Sequence, residues 1–167
     1  MFIKISGLGD GVNEFELEEP VEKIGLNAPF FGNFTAKIVL NKAHNQIILN
    51  NALKFNVNFD CDRCGKNFDA ELETEYEMVY LFGVKREEDE SENIKYLVLD
   101  ADKIQIGNDI KDFAIIALPM KKLCIEDCKG LCYKCGQDLN EGDCLCEKEE
   151  VDERWKPLQE LKNKLNK

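Results

Sequence analysis

The chain has 167 residues, 44% apolar and 33% charged, with a formal net charge of −11. That is enough chain to bury a real core, and a balance this acidic opposes binding of a phosphate backbone by the body as a whole. No window approaches the roughly 18 apolar residues of a membrane span, and MFIKISGLGDG lacks the cationic start, apolar run and small-residue cleavage site of a leader. The expected location is therefore cytoplasmic, where thiols stay reduced, so the eight cysteines point to metal ahead of disulfides. The charge is uneven: residues 1–120 carry 12 Lys+Arg against 22 Asp+Glu, while residues 121–167 carry 10 against 11.

At the N-terminus, Phe2 to Ile5 and Phe15 to Leu17 read as short strands separated by Gly7, Gly9 and Gly11, and Pro20 and Pro29 break any longer element. From Phe34, Ala36, Ile38 and Leu40 alternate with Thr35, Lys37 and Val39. NKAHNQ then supplies a polar turn holding His44, read as a solvated loop histidine, and Ile47 to Leu49 start a return strand. In the next strand Leu53, Phe55, Val57 and Phe59 alternate with Lys54, Asn56, Asn58 and Asp60, which gives one buried and one wet face. After the loop CDRCGKN, a strand from Phe68 to Tyr80 alternates apolar residues with Asp69, Glu71, Glu73, Glu75 and Glu77. These thirteen residues would run about 43 Å at roughly 3.3 Å each, longer than most strands, so a bend or break is expected. The carboxylate stripe reads as a solvated sheet face.

The acidic run 85–93, KREEDESEN, has no apolar anchor and reads as a mobile loop. Strand character resumes from Ile94 to Leu99. Asn108 or Asp109 is the expected cap of a helix near 108–118, in which Ile110, Phe113, Ala114, Ala117 and Leu118 form one stripe, and Pro119 ends it. The tail reads as an amphipathic helix with Pro157 in its first turn. Trp155, Leu158, Leu161 and Leu165 would dock on the body, and Lys156, Lys162, Lys164 and Lys167 would face out. The fold class that follows is α+β: a mainly antiparallel sheet with one or two helices over residues 1–123, then a Cys-rich, zinc-ribbon-like segment and C-terminal helix over 124–167.

The cysteines carry the chemistry. Cys61/Cys64 and Cys132/Cys135 are both Cys-x-x-Cys pairs followed at once by glycine, Gly65 and Gly136. Two thiolates grip one tetrahedral ion from a tight turn only if the backbone curls around it, and a glycine there takes the positive φ this needs. Cys132, Cys135, Cys144 and Cys146 lie within fifteen residues and close a short loop on one ion. Cys144 and Cys146 share a face if the segment is a strand, with a turn at Gly142 swinging both onto that ion. Cys61, Cys64, Cys124 and Cys128 remain for a second ion, Cys124 and Cys128 having helical i, i+4 spacing. The rival division joins the two Cys-x-x-Cys pairs to each other, as in rubredoxin. Zinc is the expected cofactor, in two four-cysteine sites, and iron uses the same ligands. Four thiolates leave no open position for substrate, and no Ser/His/Asp set, P-loop or Gly-x-Gly-x-x-Gly occurs, so catalytic residues are expected to be absent and the protein is expected not to be an enzyme.

Several ordered motifs resemble one family. Cys61 to Gly65 with Phe68, Ala117-Leu118-Pro119-Met120 leading to Leu123-Cys124, Cys128 to Gly136 with Leu139-Asn140, Cys144 with Cys146, and the closing stretch from Asp152 to Leu161 are similar to the bacterial large ribosomal RNA subunit accumulation proteins, the YceD-like family. Tyr133 and Glu153 stand where that family often has proline. Shorter members share the first zinc knuckle, the Cys61/Cys64 turn, and the Leu-Pro segment without the second, the Cys132/Cys135 turn, so the resemblance supports grouping Cys61/Cys64 with Cys124/Cys128. It also implies a non-enzymatic role in large-subunit (23S) rRNA accumulation and ribosome assembly. The mechanism is not in the resemblance; the partner expected from the acidic body, the closed metal sites and the missing catalytic set is a basic ribosomal protein, or large-subunit rRNA touched through Lys121, Lys122, Lys129 and Lys134, with no small-molecule substrate and no membrane. Two other readings stay open: a metal-dependent redox protein, rubredoxin-like or thiol-disulfide, and a generic zinc-stapled interaction module.

Overall fold

Alternating side chains build one long sheet. The computed structural model describes residues 1–84, 91–146, 153–155, 158 and 161. Its strands are β1 (Phe2–Lys4), β2 (Gly11–Pro20), β3 (Phe30–Ala43), β4 (Gln46–Asp60), β5 (Asn67–Phe82), β6 (Ile94–Leu97) and β7 (Lys103–Gln105), followed by helix α1 (Gly107–Ile116). The main sheet has the order β2-β3-β4-β5-β6, antiparallel except for β6, which runs parallel to β5. A two-stranded sheet pairs β1 with β7.

Register sorts the residues onto two faces. Phe15, Ile38, Asn51 and Tyr76 lie in one row across β2 to β5, as do Leu17, Ala36, Leu53 and Thr74. This face is the core: Phe34, Ala36, Ile38, Leu40, Ile47 and Leu49 have no exposed surface. It is covered by α1, whose Ile110 and Ala114 are fully buried and whose Phe113 stacks on Tyr76 with ring centroids 4.3 Å apart, and by a 3-10 turn at Val21–Ile24. The opposite face carries the exposed members of each alternation, including Glu14, Glu16 and Glu18 of β2 and the glutamates of β5.

Several local expectations change. The strands expected to be separate at 47–49 and 53–59 are one strand, β4, and His44 and Asn45 make the two-residue turn before it. The ladder of the hairpin β4–β5 does not break: its register is constant from Gln46↔Leu81 to Asp60↔Asn67. The buried residues of both strands, Ile47, Leu49, Leu53, Phe55, Val57 and Phe59 of β4 and Tyr76, Met78 and Tyr80 of β5, already meet one face, so no conflict of register has to be relieved. The irregularity lies instead between Phe31 and Thr35 of β3, where Gly32 takes φ 69°, the left-handed conformation that a bulge of this kind exploits.

Neither Asn108 nor Asp109 caps the helix. Ile106 holds the cap position without a side-chain bond, because Asp109 is turned inward, paired with Lys95 of β6 and accepting a hydrogen bond from the Tyr80 hydroxyl. The first turn is held by the Met1 carbonyl, which accepts from Ile106 N and Gly107 N. A Cβ on Gly107 would lie 2.7 Å from Met1 N, so the close approach of the chain start requires glycine there.

In the tail, Glu153–Trp155 form a 3-10 turn, and Leu158 and Leu161 have helical backbone. Trp155, Leu158 and Leu161 are 58%, 57% and 57% exposed, so they do not dock on the body as expected. Much of the apolar face of the sheet is already covered by α1 and the 3-10 turn. Leu165, the four tail lysines and residues 85–90 of the acidic run lie outside the described residues.

Candidate metal centres

The constant register of β4 and β5 ends in a turn that curls a Cys-x-x-Cys pair around one point. Cys61 N donates to Lys66 O at 2.9 Å, Gly65 N donates to Cys61 O at 2.9 Å, and Gly65 has φ 69°. The second pair repeats this geometry: Cys132 N donates to Gln137 O at 2.8 Å, Gly136 N to Cys132 O at 2.8 Å, and Gly136 has φ 74°. The two glycines thus do what their place in the sequence implied.

After α1 the chain returns to the first turn. Asp62 N donates to Lys122 O at 2.8 Å, and Lys122 N donates to Asp62 Oδ2 at 2.6 Å, so a reciprocal pair docks this segment on the hairpin tip. The Arg63 guanidinium donates to Cys128 O. Cys124 and Cys128 are not on a helix: a single turn closed by Cys128 N to Ile125 O at 3.1 Å brings them together. Four residues are too few for a helix to nucleate here against the pull of the knuckle contacts.

The structure brings Cys61, Cys64, Cys124 and Cys128 into one cluster and Cys132, Cys135, Cys144 and Cys146 into another, with the sulfurs of each within 4.8 Å of one another. The two Cys-x-x-Cys pairs therefore sit in different clusters, and the rubredoxin-like division is not the one adopted. Cys61 and Cys128 sulfurs are 3.8 Å apart, Cys64 and Cys124 3.6 Å, and Cys132 and Cys144 3.4 Å. A tetrahedral ion with metal–sulfur bonds of about 2.3 Å has edges of about 3.8 Å, so these donor sets fit a tetrathiolate ion. Cys144 and Cys146 reach theirs from a bend rather than the expected strand, because two ligands one residue apart must both turn inward to one point.

The clusters differ in burial. Cys61, Cys64 and Cys128 are buried and pack with Phe68 and Leu123, whereas in the second only Cys132 is buried and Cys135 is exposed. Their electrostatics are alike. Burial opposes ionisation of Cys61, but the backbone N–H groups of Cys124, Cys64 and Arg63 overcome it and bring the thiol down to about 6. Burial, then the neighbouring thiols of Cys64 and Cys61, push Cys124 up to about 12. In the second cluster the backbone N–H groups of Cys135 and Lys134 bring Cys132 down to about 6, while the Cys135 thiol and burial push Cys146 up to about 12. Four sulfurs this close cannot all ionise alone, because each charge opposes the next. A dication at the centre removes that opposition.

Arg63, Asp62 and Asn140 belong to the site without having been singled out as part of it. The sequence names them only within the family motifs, Cys61 to Gly65 and Leu139-Asn140, and not for their contacts, since each acts through a partner about 10 to 65 residues away. Among the four lysines expected to touch RNA, Lys122 lies over the Phe59 ring at 5.3 Å and Lys134 over the Tyr133 ring at 5.9 Å.

Residues 49–162 match the model of a family described as large ribosomal RNA subunit accumulation protein YceD. The chain is also 27% identical over 135 residues to the Arabidopsis thaliana protein named large ribosomal RNA subunit accumulation protein YCED homolog 1, chloroplastic, an alignment that takes in 65% of this chain and 42% of that protein. The chain thus spans less than half the length of that relative. No solved structure matches it.

Proposed function

Because the chain belongs to the large ribosomal RNA subunit accumulation protein YceD family, we propose that it is a non-enzymatic, zinc-binding factor for accumulation of large-subunit rRNA, working in ribosome assembly by engaging a basic ribosomal protein. Two closed four-sulfur cages support a structural metal: with four thiolates bound, no coordination position remains for water or substrate. Zinc suits such a cage because it has no redox chemistry and accepts tetrahedral thiolates.

The observation that carries the partner is the outer face of the sheet. Glu14, Glu16 and Glu18 of β2 and Glu71, Glu73, Glu75 and Glu77 of β5 are all exposed there, and they flank the strands β3 and β4, which contribute Lys37 and Lys54. The face already shows how it holds an ammonium. Lys54 is gripped by Glu73 and Glu71, which raise its pKa, Glu73 most, and Lys37 lies 3.8 Å from Glu16. Glu75 and Glu77 have no cationic partner among the described residues and line an open depression of about 440 Å³ with Lys37, Val39, Asn50 and Ala52. That arrangement suits a lysine- or arginine-rich segment better than a nucleic-acid strand, which the same face repels.

Depleting the protein should lower large-subunit rRNA relative to small-subunit rRNA. Restoring the chain should return the ratio, and restoring a Glu75→Lys, Glu77→Lys variant should not, although that variant keeps its fold by far-ultraviolet circular dichroism. An unchanged ratio on depletion would overturn the assignment, and full rescue by the variant would overturn the binding face.

A further inference from the structure

Leu139 and Asn140 lie between the ligands of the second cluster, and the cage itself uses neither as a donor. Asn140 nonetheless reaches the first cluster: its Nδ2 donates to Cys128 Sγ at 3.3 Å. The orientation of the amide is settled by its surroundings. Lys129 N, which can only donate, lies 2.7 Å from Asn140 Oδ1, so Nδ2 must be the atom that faces the sulfur and Asp138 Oδ1, 2.6 Å away. Asn140 N also donates to Asp138 Oδ1 at 2.8 Å.

The segment that presents this amide is shaped by the second cluster. Asn140 sits between Cys135 and Cys144, in the stretch that the second set of four sulfurs closes. The stretch is laid back against the linker between the clusters by Leu139 N to Gly130 O at 2.9 Å and by a bridge between Leu131 and Asp138. Cys128 and Cys132, ligands of different clusters, are joined through Gly130, where a Cβ would meet Arg63 O at 2.9 Å. One side chain thus belongs by sequence to the outer cluster and by hydrogen bond to the inner one.

We propose that Asn140 couples the two metal centres, donating its amide N–H to the Cys128 thiolate so that an ion in the outer cage, by ordering residues 132–146, raises the affinity of the inner cage. This rests on the reading of both clusters as metal sites. A tetrathiolate cage around a dication keeps two surplus negative charges, and a fixed N–H donor stabilises the thiolate that carries part of them. Thermodynamic linkage makes the effect mutual: whatever factor the outer ion adds to the inner affinity, the inner ion adds to the outer. Partners of this kind change metal affinity by about 10- to 100-fold.

Cobalt(II) is the probe, because its tetrathiolate complexes absorb in the visible and report the sulfurs directly. Competition with a chelator on the full chain gives both affinities, and a Cys135→Ser, Cys146→Ser variant isolates the inner cage. Asn140→Ala should lower inner-cage affinity about tenfold and move the thiolate-to-cobalt charge-transfer band to longer wavelength. Asn140→Asp, which keeps the acceptor for Lys129 N but loses the donor, should do the same. In the Cys135→Ser, Cys146→Ser background Asn140→Ala should add little, since the segment is no longer ordered by the outer ion. Unchanged inner affinity and spectrum in both Asn140 variants overturn the coupling while two bound ions leave the metal reading standing. A loss with Ala but not Asp, or full additivity with the outer-cage variant, also overturns it. A wild-type chain that forms no cobalt tetrathiolate overturns the metal reading and the coupling with it.

Discussion

Single atoms decide how closely the two cages approach. Gly130 has φ 78°, and its missing Cβ leaves room for Arg63 O, which that atom would otherwise meet at 2.9 Å. Both the conformation and the contact exclude a side chain, and the contact is with backbone, which cannot swing aside. A non-glycine residue held in the left-handed region costs of order 1–3 kcal/mol. Gly130→Ala should therefore weaken the docking of the ribbon on the knuckle by about that amount, read as a lower thermal midpoint of the metal-loaded chain and weaker inner-cage affinity. Gly136→Ala offers the contrast: its φ is also positive, but nothing lies within 4 Å of the added carbon, so it should perturb the outer cage and spare the docking. Equal effects of the two substitutions would show that conformation alone, and not the approach to Arg63, matters at Gly130.

At the scale of elements, the helix and the sheet are joined by a polar contact in an otherwise apolar interface. Asp109 of α1 is 7% exposed and meets Lys95 of β6 and the Tyr80 hydroxyl of β5, so one carboxylate ties three elements together. Burial, then the Asp109 charge, holds the Tyr80 hydroxyl well above the usual tyrosine range, so it remains a donor. Asp109→Ala would leave a buried hydroxyl and a half-buried ammonium without their acceptor. It should cost about 2 kcal/mol, lowering the denaturant midpoint with little change in slope. The parallel strand β6 explains why this contact was not legible. Sequence patterning reads strand character from Ile94 to Leu99, of which the structure keeps Ile94–Leu97, and a helical stripe that includes Ile110, Phe113 and Ala114, but partner and direction of a short edge strand are set by where the preceding segment delivers it. The cap expected of Asn108 or Asp109 failed for the same reason: a tertiary ion pair outbids a local bond when it also satisfies a buried hydroxyl.

For the molecule as a whole, the apolar core and the first cysteine cluster are distinct bodies of contact that meet at Phe68. The sheet core contains no cysteine, while Cys61, Cys64 and Cys128 pack chiefly with one another and with Phe68 and Leu123. Chelation should therefore strip amide-exchange protection from residues 121–146 and leave β3 and β4 protected. Structural zinc contributes on the order of 10 kcal/mol in small zinc peptides, far more than the few apolar contacts of this region supply. Equal protection of 121–146 with and without chelator would count against a structural metal there.

By itself the sequence determined the alternation of β3, the second half of β4 and β5, the turn at His44 and the two curled Cys-x-x-Cys loops, because periodicity and a glycine after the second cysteine act over a few residues, whereas the full lengths of β2 (Gly11–Pro20) and β4 (Gln46–Asp60) came only from the structure. Its family motifs also pointed to the grouping of the first four cysteines. Only the tertiary structure decided that β4 and β5 stay in register over their whole length, that Asp109 turns to Lys95 instead of capping its helix, that Trp155, Leu158 and Leu161 are left exposed, and that Asn140 of the outer loop reaches Cys128 of the inner cage. Each of these depends on groups far apart in the chain competing for the same partner, and local pattern carries no record of which competitor wins.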